Sequence, residues 1–149
     1  MTDRSESLLG LITEISIIEH LARTRLERKS TGPMKAGHFG ILNYFIRNHH
    51  GTDTISGIAW SFQENEAYTA EKIGTLEAAG FVVVTPEGSR DGSASVSVTE
   101  AGRAEQREKV ESMTPEFEAL LAEISAEDLE TAIRTLREIR LTLDHLPDR

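Results

Sequence analysis

Side chains that can hydrogen-bond to phosphates or base edges gather between residues 65 and 93. Tyr68 and Lys72 lie in a stretch with helical periodicity, and Arg90 lies in a turn-rich segment beyond it. Hydroxyl, amide and cationic groups of this kind contact the backbone and the base edges of a DNA duplex. The candidate DNA-contacting residues are Asn65, Ala67, Tyr68, Thr69, Lys72, Thr75, Ser89, Arg90 and Ser93.

Two glycines lie close to the cation of the turn-rich segment. The segment covers residues 86–93, and Gly88 and Gly92 stand on either side of Arg90. Glycine has no Cβ, so a backbone rich in glycine can approach a partner closely. The sequence therefore predicts that Arg90, at the tip of a hairpin, contacts DNA.

Acidic residues outnumber basic residues both in the whole chain and in this candidate segment. The formal net charge is -9 at pH 7. Residues 54–98 contain two cations, Lys72 and Arg90, against six acidic residues, which gives a net charge of -4. Neutralisation of phosphates by Lys and Arg supplies most non-specific affinity for DNA. A close like-charge pair in solvent costs about 1 kcal/mol, so this charge balance opposes DNA binding.

The five histidines favour a small-molecule pocket over a metal site. His49 and His50 are neighbours, and neighbouring side chains on a helix point about 100° apart, which is a poor geometry for chelation. His20 and His38 lie on predicted helices that can face each other, but no spacing supplies the remaining ligands, so no metal ion is expected. Structural or surface roles are the favoured interpretation of the histidines, ahead of both kinds of site. The residues of the candidate ligand pocket are Ile17, His20, His38, Phe39 and Leu42.

The sequence lacks the usual signatures of an enzyme. It contains no cysteine, no phosphate-binding glycine loop and no nucleophile elbow,. We expect no enzymatic activity and no cofactor. The N-terminus carries no signal-peptide pattern, and no apolar run approaches the roughly 20 residues of a membrane span, so the expected location is the cytoplasm, away from membranes.

Apolar periodicity places these candidates on an ordered series of elements. Apolar residues at spacings of three and four predict helices, and alternation between residues 95 and 98 predicts a strand. Pro115 is expected to interrupt the long helix that follows, and Trp60 is expected to be partly buried. The predicted elements are helices 7–29, 34–49, 55–62 and 66–79, strands 81–84 and 95–98, and helices 99–123 and 126–146. This order indicates a mainly α fold with a small β-hairpin wing, a winged helix-turn-helix with long N- and C-terminal helices.

The first and last helices carry more apolar surface than one small domain needs. Burial between two copies of the chain is the simplest way to remove that surface from water. A twofold-symmetric dimer also matches a palindromic DNA site. The residues predicted to form the dimer interface are Leu8, Leu11, Ile12, Ile15, Leu129, Ile133, Leu136 and Leu143.

Two segments on either side of the predicted hairpin carry a family resemblance. Residues 76–82 read LEAAGFV and residues 96–102 read VSVTEAG. In this order and spacing they resemble the MarR family of multiple-antibiotic-resistance-type regulators, and the resemblance covers nearly the whole chain. The positions that extend it upstream are Ile58, Ala59, Phe62, Asn65 and Ile73.

The resemblance implies a single MarR-like domain over residues 1–149. Residues 34–98 would form the winged-helix DNA-binding lobe, and residues 7–29 and 99–146 the dimerisation helices. It also implies a homodimeric, usually repressing, transcription factor that binds an operator in double-stranded DNA. Members of the family often respond to a small aromatic ligand bound between the dimer helices and the lobe.

The chain departs from this family at the positions that matter for DNA. Family members commonly carry a basic residue where this chain has Glu71, and an arginine shortly after the wing aspartate, where Asp91 is followed by Gly92. Two interpretations therefore stay open: a DNA-binding repressor, or a winged-helix dimer with weakened or lost DNA binding that binds a ligand or another protein. Cations near the end of the first helix could approach the DNA backbone in this architecture, and they are Arg23, Arg25, Arg28, Lys29 and Lys35.

Overall fold

The helices and strands of the computed structural model follow the order expected from the sequence. The structure describes residues 3–30, 32, 34–47 and 50–145. The prediction of a mainly α winged helix-turn-helix is confirmed. The elements are α1 (Asp3–Lys29), α2 (Ala36–Arg47), β1 (Thr52–Thr54), α3 (Ile55–Phe62), α4 (Glu66–Ala78), β2 (Val82–Thr85), β3 (Ser95–Val98), α5 (Glu100–Leu120) and α6 (Ala126–Asp144).

The helix-turn-helix formed by α3 and α4 is defined by two capping residues. The Thr54 hydroxyl accepts a hydrogen bond from the Gly57 amide at 3.0 Å, and the Asn65 side chain accepts one from the Tyr68 amide at 2.8 Å. Side-chain caps satisfy amides that have no partner within the helix. Between the two helices, Gln63 takes a left-handed conformation with φ of 54°. The cap at Asn65 fixes where α4 begins.

The hairpin belongs to a three-stranded antiparallel sheet with strand order β1-β3-β2. In the hairpin, Val82 pairs with Val98 and Val84 with Val96. Strand β1 was not predicted, because three polar residues carry no apolar alternation. Its pairing with β3 anchors the segment just before α3 to the base of the wing.

The hydrophobic core lies within residues 34–98. Its largest members are fully buried and come from α2, α3, α4 and the sheet. The core residues are Met34, Ile41, Leu42, Phe45, Ile58, Ile73, Leu76, Val82 and Val96. The winged-helix lobe therefore has its own core, to which the flanking helices add little.

The first turn of α5 is joined closely to the chain that enters β2. The Thr99 hydroxyl donates to the Gly80 carbonyl at 2.7 Å, and the Thr99 amide donates to the Phe81 carbonyl at 3.0 Å. A Cβ on Gly102 would lie 2.2 Å from the Phe81 carbonyl oxygen, so only glycine fits there. Helix α5 starts directly on the lobe as a result.

Helices α1 and α6 leave most of their apolar residues exposed. Leu26 is the buried residue of α1, and α6 has none. The C-terminal part of α1 is tied to α5, because Arg25 and Lys29 both form ion pairs with Glu116. None of the helices within the described residues is both long and apolar enough to cross a membrane.

Three details of the sequence prediction were wrong. Helix α5 ends at Leu120, short of the predicted residue 123, and it runs through Pro115 without a break. Trp60 is 56% exposed, because it lies on the face of α3 that points away from the core. The C-terminal end of helix 34–49 falls partly outside the described residues.

Candidate nucleic-acid interface

Helix α4 buries one face against the lobe and exposes the other. Thr69, Ile73 and Leu76 lie in the buried face at spacings of four and three residues. Ala67, Tyr68 and other exposed residues occupy the opposite face, and Tyr68 is 53% exposed. In a helix-turn-helix, the second helix presents its outer side chains to the major groove. The outer face of α4 is therefore the candidate base-reading surface.

Two of the residues predicted to contact DNA, Thr69 and Lys72, have side chains that point into the lobe. Thr69 is 0% exposed and Lys72 is 5% exposed. The Lys72 ammonium forms an ion pair with Glu64, and the Thr69 hydroxyl donates to the same carboxylate at 3.1 Å. Both residues belong to the inward face that the helical period defines, so they offer no group to a duplex outside.

The remaining predicted contacts on α4 differ in what they can offer. Ala67 and Tyr68 are exposed. The side-chain oxygen of Asn65 accepts the capping hydrogen bond from the Tyr68 amide. Thr75 is half-buried, and its hydroxyl donates to the Glu71 carbonyl at 3.3 Å. Tyr68 is thus the largest exposed side chain on the outer face that can both stack and hydrogen-bond.

The wing tip is organised around Asp91. Its carboxylate accepts hydrogen bonds from the Ser89 hydroxyl and from the Ser93 hydroxyl at 2.7 Å and amide at 3.0 Å. The hydrogen bond from Ser89, followed by those from Ser93, lowers the pKa of Asp91 from 3.8 to about 2,. Ser89 and Ser93 are both half-buried. Their hydroxyls shape the loop first, and a contact with DNA stays a prediction for them.

Arg90 is the exposed cation of the wing. It forms no ion pair with any residue that the structure describes. A Cβ on Gly88 would lie 2.9 Å from the Ser95 Cβ, and Gly92 has a φ of 81°, so both glycines are needed for the loop to close. This tight loop leaves the Arg90 guanidinium at the tip.

The exposed side chains of residues 54–98 keep the net charge of -4 counted from the sequence, because the buried Lys72 is paired with Glu64 and one charge of each sign is removed. Because Lys72 is buried and paired, Arg90 is the exposed cation that residues 54–98 present. The acidic side chains exposed over the same residues are Glu66, Glu71, Glu77, Glu87 and Asp91. Any DNA contact by this face must overcome their repulsion of phosphate.

The cluster of cations near the end of α1 is largely paired. Arg23 forms an ion pair with Glu19, while Arg25 and Lys29 share Glu116. Arg28 and Lys35 are exposed without an ion pair among the described residues. These two cations remain for contact with a DNA backbone.

The structure does not bring the five predicted ligand-pocket residues together. Leu42 is fully buried in the core, and Ile17 is 47% exposed on α1. Phe39 lines a cavity of about 500 Å³ between α2, α5 and α6, whereas His20 lines a different cavity of about 480 Å³ between α1 and α5. These five residues therefore do not line one pocket in the structure, since Leu42 lies in the core and Ile17 and His38 line neither of these two cavities.

Most residues that line the cavity beside Phe39 were not among the predicted site residues. They come from α5 and the turn that follows it, and their helical spacing was the signal that could have grouped them. Glu118 is the charged residue of the lining. The apolar lining residues are Phe39, Val110, Met113, Phe117, Leu121, Ala122, Ile124 and Leu129.

His38 stands at the start of α2, close to the buried Lys72. Its Nδ1 accepts a hydrogen bond from the Lys35 amide at 2.9 Å. Burial, followed by the nearby Lys72 cation, lowers the pKa of His38 from its ordinary 6.5,. His38 is therefore a neutral part of the lobe at pH 7.

Several solved structures have the same fold as this chain over most of its length, although their sequence identity to it is low. A MarR family protein from Bacillus stearothermophilus is 16% identical, with 97% of this chain and 99% of that chain covered and a TM-score of 0.73. A mutant MarR from E. coli complexed with operator DNA is 16% identical, with 93% and 99% covered and a TM-score of 0.66. The organohalide-sensing regulator RdhR in its 2,4-dichlorophenol-bound form is 17% identical, with 92% and 80% covered and a TM-score of 0.65.

Sequence comparison alone gives no such match. No protein-family model matches the chain, and no curated protein matches it. The likeness is carried by the order of α3, α4 and the wing between long flanking helices. This chain has the winged helix-turn-helix fold of MarR family transcriptional regulators.

Proposed function

We propose that this chain is a DNA-binding transcriptional regulator that acts as a homodimer. The observation that carries the proposal is the pairing of an exposed α4 face with a wing that holds Arg90 at its tip. In winged helix-turn-helix proteins the second helix enters the major groove and the wing reaches the adjacent groove or backbone. The protein from E. coli that shares the fold was solved on operator DNA, which supports the same role here.

The exposed apolar residues of α1 and α6 support the homodimer. Leu8, Ile12 and Ile133 are each more than half exposed, and no described residue of the same chain covers them. In this proposal residues 34–98 form the DNA-binding lobe and the flanking helices join the two copies. A twofold dimer would place two copies of α4 on the two halves of a palindromic operator, where binding would repress transcription.

A small aromatic effector would bind in the cavity beside Phe39. The cavity has a volume of about 500 Å³ and an almost wholly apolar lining, which suits an aromatic ring. A protein of the same fold was solved with 2,4-dichlorophenol bound. The cavity lies between the lobe and the flanking helices, so a ligand there could alter the angle between them.

The test is the selection of duplexes from a random pool by the purified chain, followed by a titration of the enriched site. We expect an affinity that weakens as salt rises, because bound phosphates release counterions. Arg90→Ala should weaken binding and lower the slope of log Kd against log salt by about one. Arg137→Ala is the matched control, because Arg137 is an exposed arginine on α6, and it should leave the slope unchanged.

A second candidate function is supported by the charge of the exposed lobe. Arg90 stands against five exposed acidic side chains over residues 54–98, so a winged-helix dimer that binds a ligand or another protein, and not DNA, is the alternative. Failure to enrich any duplex at low salt would favour this alternative. An enriched duplex bound at nanomolar concentration in physiological salt would exclude it.

A further inference from the structure

Lys72 has an unusual place for a cation on a DNA-reading helix. Its side chain is 7% exposed, and its ammonium is paired with Glu64, the second residue after α3. The same ammonium lies 4.7 Å from the centre of the Tyr68 ring and 5.5 Å from that of Phe62. Cations within about 6 Å of an aromatic face are attracted to it. One buried cation therefore links α3, the turn and the first turns of α4.

The stem of Lys72 is also fixed by α2. A Cβ on Gly37 would lie 3.3 Å from the Lys72 Cδ, so the glycine leaves just enough room for the stem to pass. Rotation of the side chain outward would leave the Glu64 carboxylate without its cation. Removing one partner of a buried pair is strongly unfavourable, so the inward position is stable.

Tyr68 stands on the other side of this cation. The residue is 53% exposed, which places its ring at the border between the buried cluster and the outer face of α4. Without a partner beneath it, a tyrosine on a helix surface would sample several rotamers. The cation beneath the ring restricts it, and a restricted side chain loses less entropy when it binds.

We propose that Lys72 is a positioning residue of the DNA interface: it makes no contact with DNA, and it holds the Tyr68 ring on the outer face of α4 as the group that contacts bases. The inference rests on the proposed DNA-binding function. It assigns specificity to Tyr68 and removes Lys72 from the set of phosphate contacts, although Lys72 is one of only two cations in residues 54–98.

Salt dependence separates a positioning residue from a phosphate contact. The variant Glu64→Gln with Lys72→Met removes the buried pair and leaves the net charge of the lobe unchanged. If Lys72 only positions Tyr68, the affinity for the selected duplex falls severalfold while the slope of log Kd against log salt stays at the wild-type value. A slope lower by about one would mean that Lys72 contacts a phosphate, and would overturn the inference.

A double-mutant cycle tests whether Lys72 acts through Tyr68. We expect Tyr68→Ala to weaken binding about tenfold in the wild-type background, as loss of a base contact does. In the variant without the buried pair it should weaken binding less than about threefold, because groups in contact are not additive. Additive losses would overturn the inference, since Tyr68 would then be independent of the cluster.

Lys72→Arg provides a second test if the variant Glu64→Gln with Lys72→Met does not fold. A phosphate contact accepts arginine readily, so an unchanged or tighter affinity would overturn the inference. The site between Glu64, Tyr68 and Phe62 holds a compact ammonium, and a larger planar guanidinium would shift these partners, so a positioning role predicts a severalfold loss with an unchanged salt slope. If wild-type protein enriches no duplex at all, the DNA-binding function itself fails, and this result is distinct from every outcome above.

Discussion

The winged-helix lobe buries its large apolar residues, whereas the flanking helices leave most of theirs exposed. In the lobe, Ile41, Leu42 and Phe45 are fully buried by residues of the same segment. On α1 and α6, Ile18 and Ile133 are more than half exposed. The lobe thus buries a core of its own, whereas the long helices expose an apolar surface that the second copy would cover in the proposed homodimer. In that proposal, stability and assembly are encoded in separate parts of one chain.

The largest expected effect breaks the assembly and leaves the lobe folded. Leu136→Glu places a charge within the apolar stripe of α6, where an interface between copies would bury it without a partner. We expect the dimer to dissociate into monomers at micromolar concentration, as measured by sedimentation. Thr131→Glu adds the same charge on the other side of α6 and should leave the dimer intact. A wild-type chain that sediments as a monomer would contradict the interpretation of the flanking helices as the surface that joins two copies.

The next effect concerns the core of the lobe. Leu42→Ala removes a side chain that is 0% exposed, and such truncations cost about 2–5 kcal/mol. We expect a matching loss in the free energy of unfolding measured by denaturant titration. Val83→Ala is the control, because Val83 is 51% exposed on β2, and it should change stability little. Equal losses in the two variants would mean that the lobe is not the independent core described above.

A smaller effect is the response of the lobe to pH. Because burial lowers the pKa of His38, the unfolded chain takes up a proton near pH 6.5 while the folded chain does not. Stability from this group is complete above about pH 6.5 and falls as the pH drops below it. The Lys72 and Lys35 cations lower the pKa of His38 further, whereas the hydrogen bond with the Lys35 backbone and the Glu71 carboxylate raise it.

The measurement is the free energy of unfolding between pH 7.5 and 5, for wild type and for His38→Gln. We expect the variant to lose part of the slope over this window. The same slope in both proteins would show that His38 is not the group that titrates.

The smallest expected effect is local to the wing. Asp91→Asn removes the carboxylate that accepts hydrogen bonds from Ser89 and Ser93, so we expect faster exchange of the Ser93 amide hydrogen. In wild type the same loosening should appear as the pH falls from 3.8 towards 2, because the lowered pKa of Asp91 stabilises the loop only while the carboxylate is charged,. Glu87→Gln removes an exposed charge beside the loop and should leave the Ser93 amide unchanged.

Much of the fold followed from the periodicity of the sequence, and the exceptions have physical causes. Strand β1 is three polar residues whose pairing depends on β3, some 40 residues away, so local pattern could not reveal it. Lys72 lies three residues after Thr69 and four before Leu76, so helical spacing alone places it on the same face as these two buried residues,. The positive charge of a lysine favours an exposed position, which conflicts with that spacing.

The candidate site was harder to predict than the fold. Arg90 and Tyr68 were predicted from residue type and position, and both are exposed, while their contact with DNA stays a prediction. The hydrogen bonds of Asp91 and the cavity beside Phe39 depend on how distant segments pack, which spacing along the chain does not specify. The predicted pocket combined residues according to the helices on which they lie. It took no account of how each helix is rotated about its axis, and the structure places these residues apart.

Because α5 is joined closely to the lobe, a tilt of this helix would move the lobe with it. With 21 residues, α5 is about 30 Å long at a rise of roughly 1.5 Å per residue, and it starts on the carbonyls of Gly80 and Phe81. If α5 tilted by about 10° about its far end, the lobe would move by roughly 5 Å. The half-sites of an operator are about 34 Å apart. A small change in the spacing of two chains would thus be converted into a mismatch with one turn of the double helix.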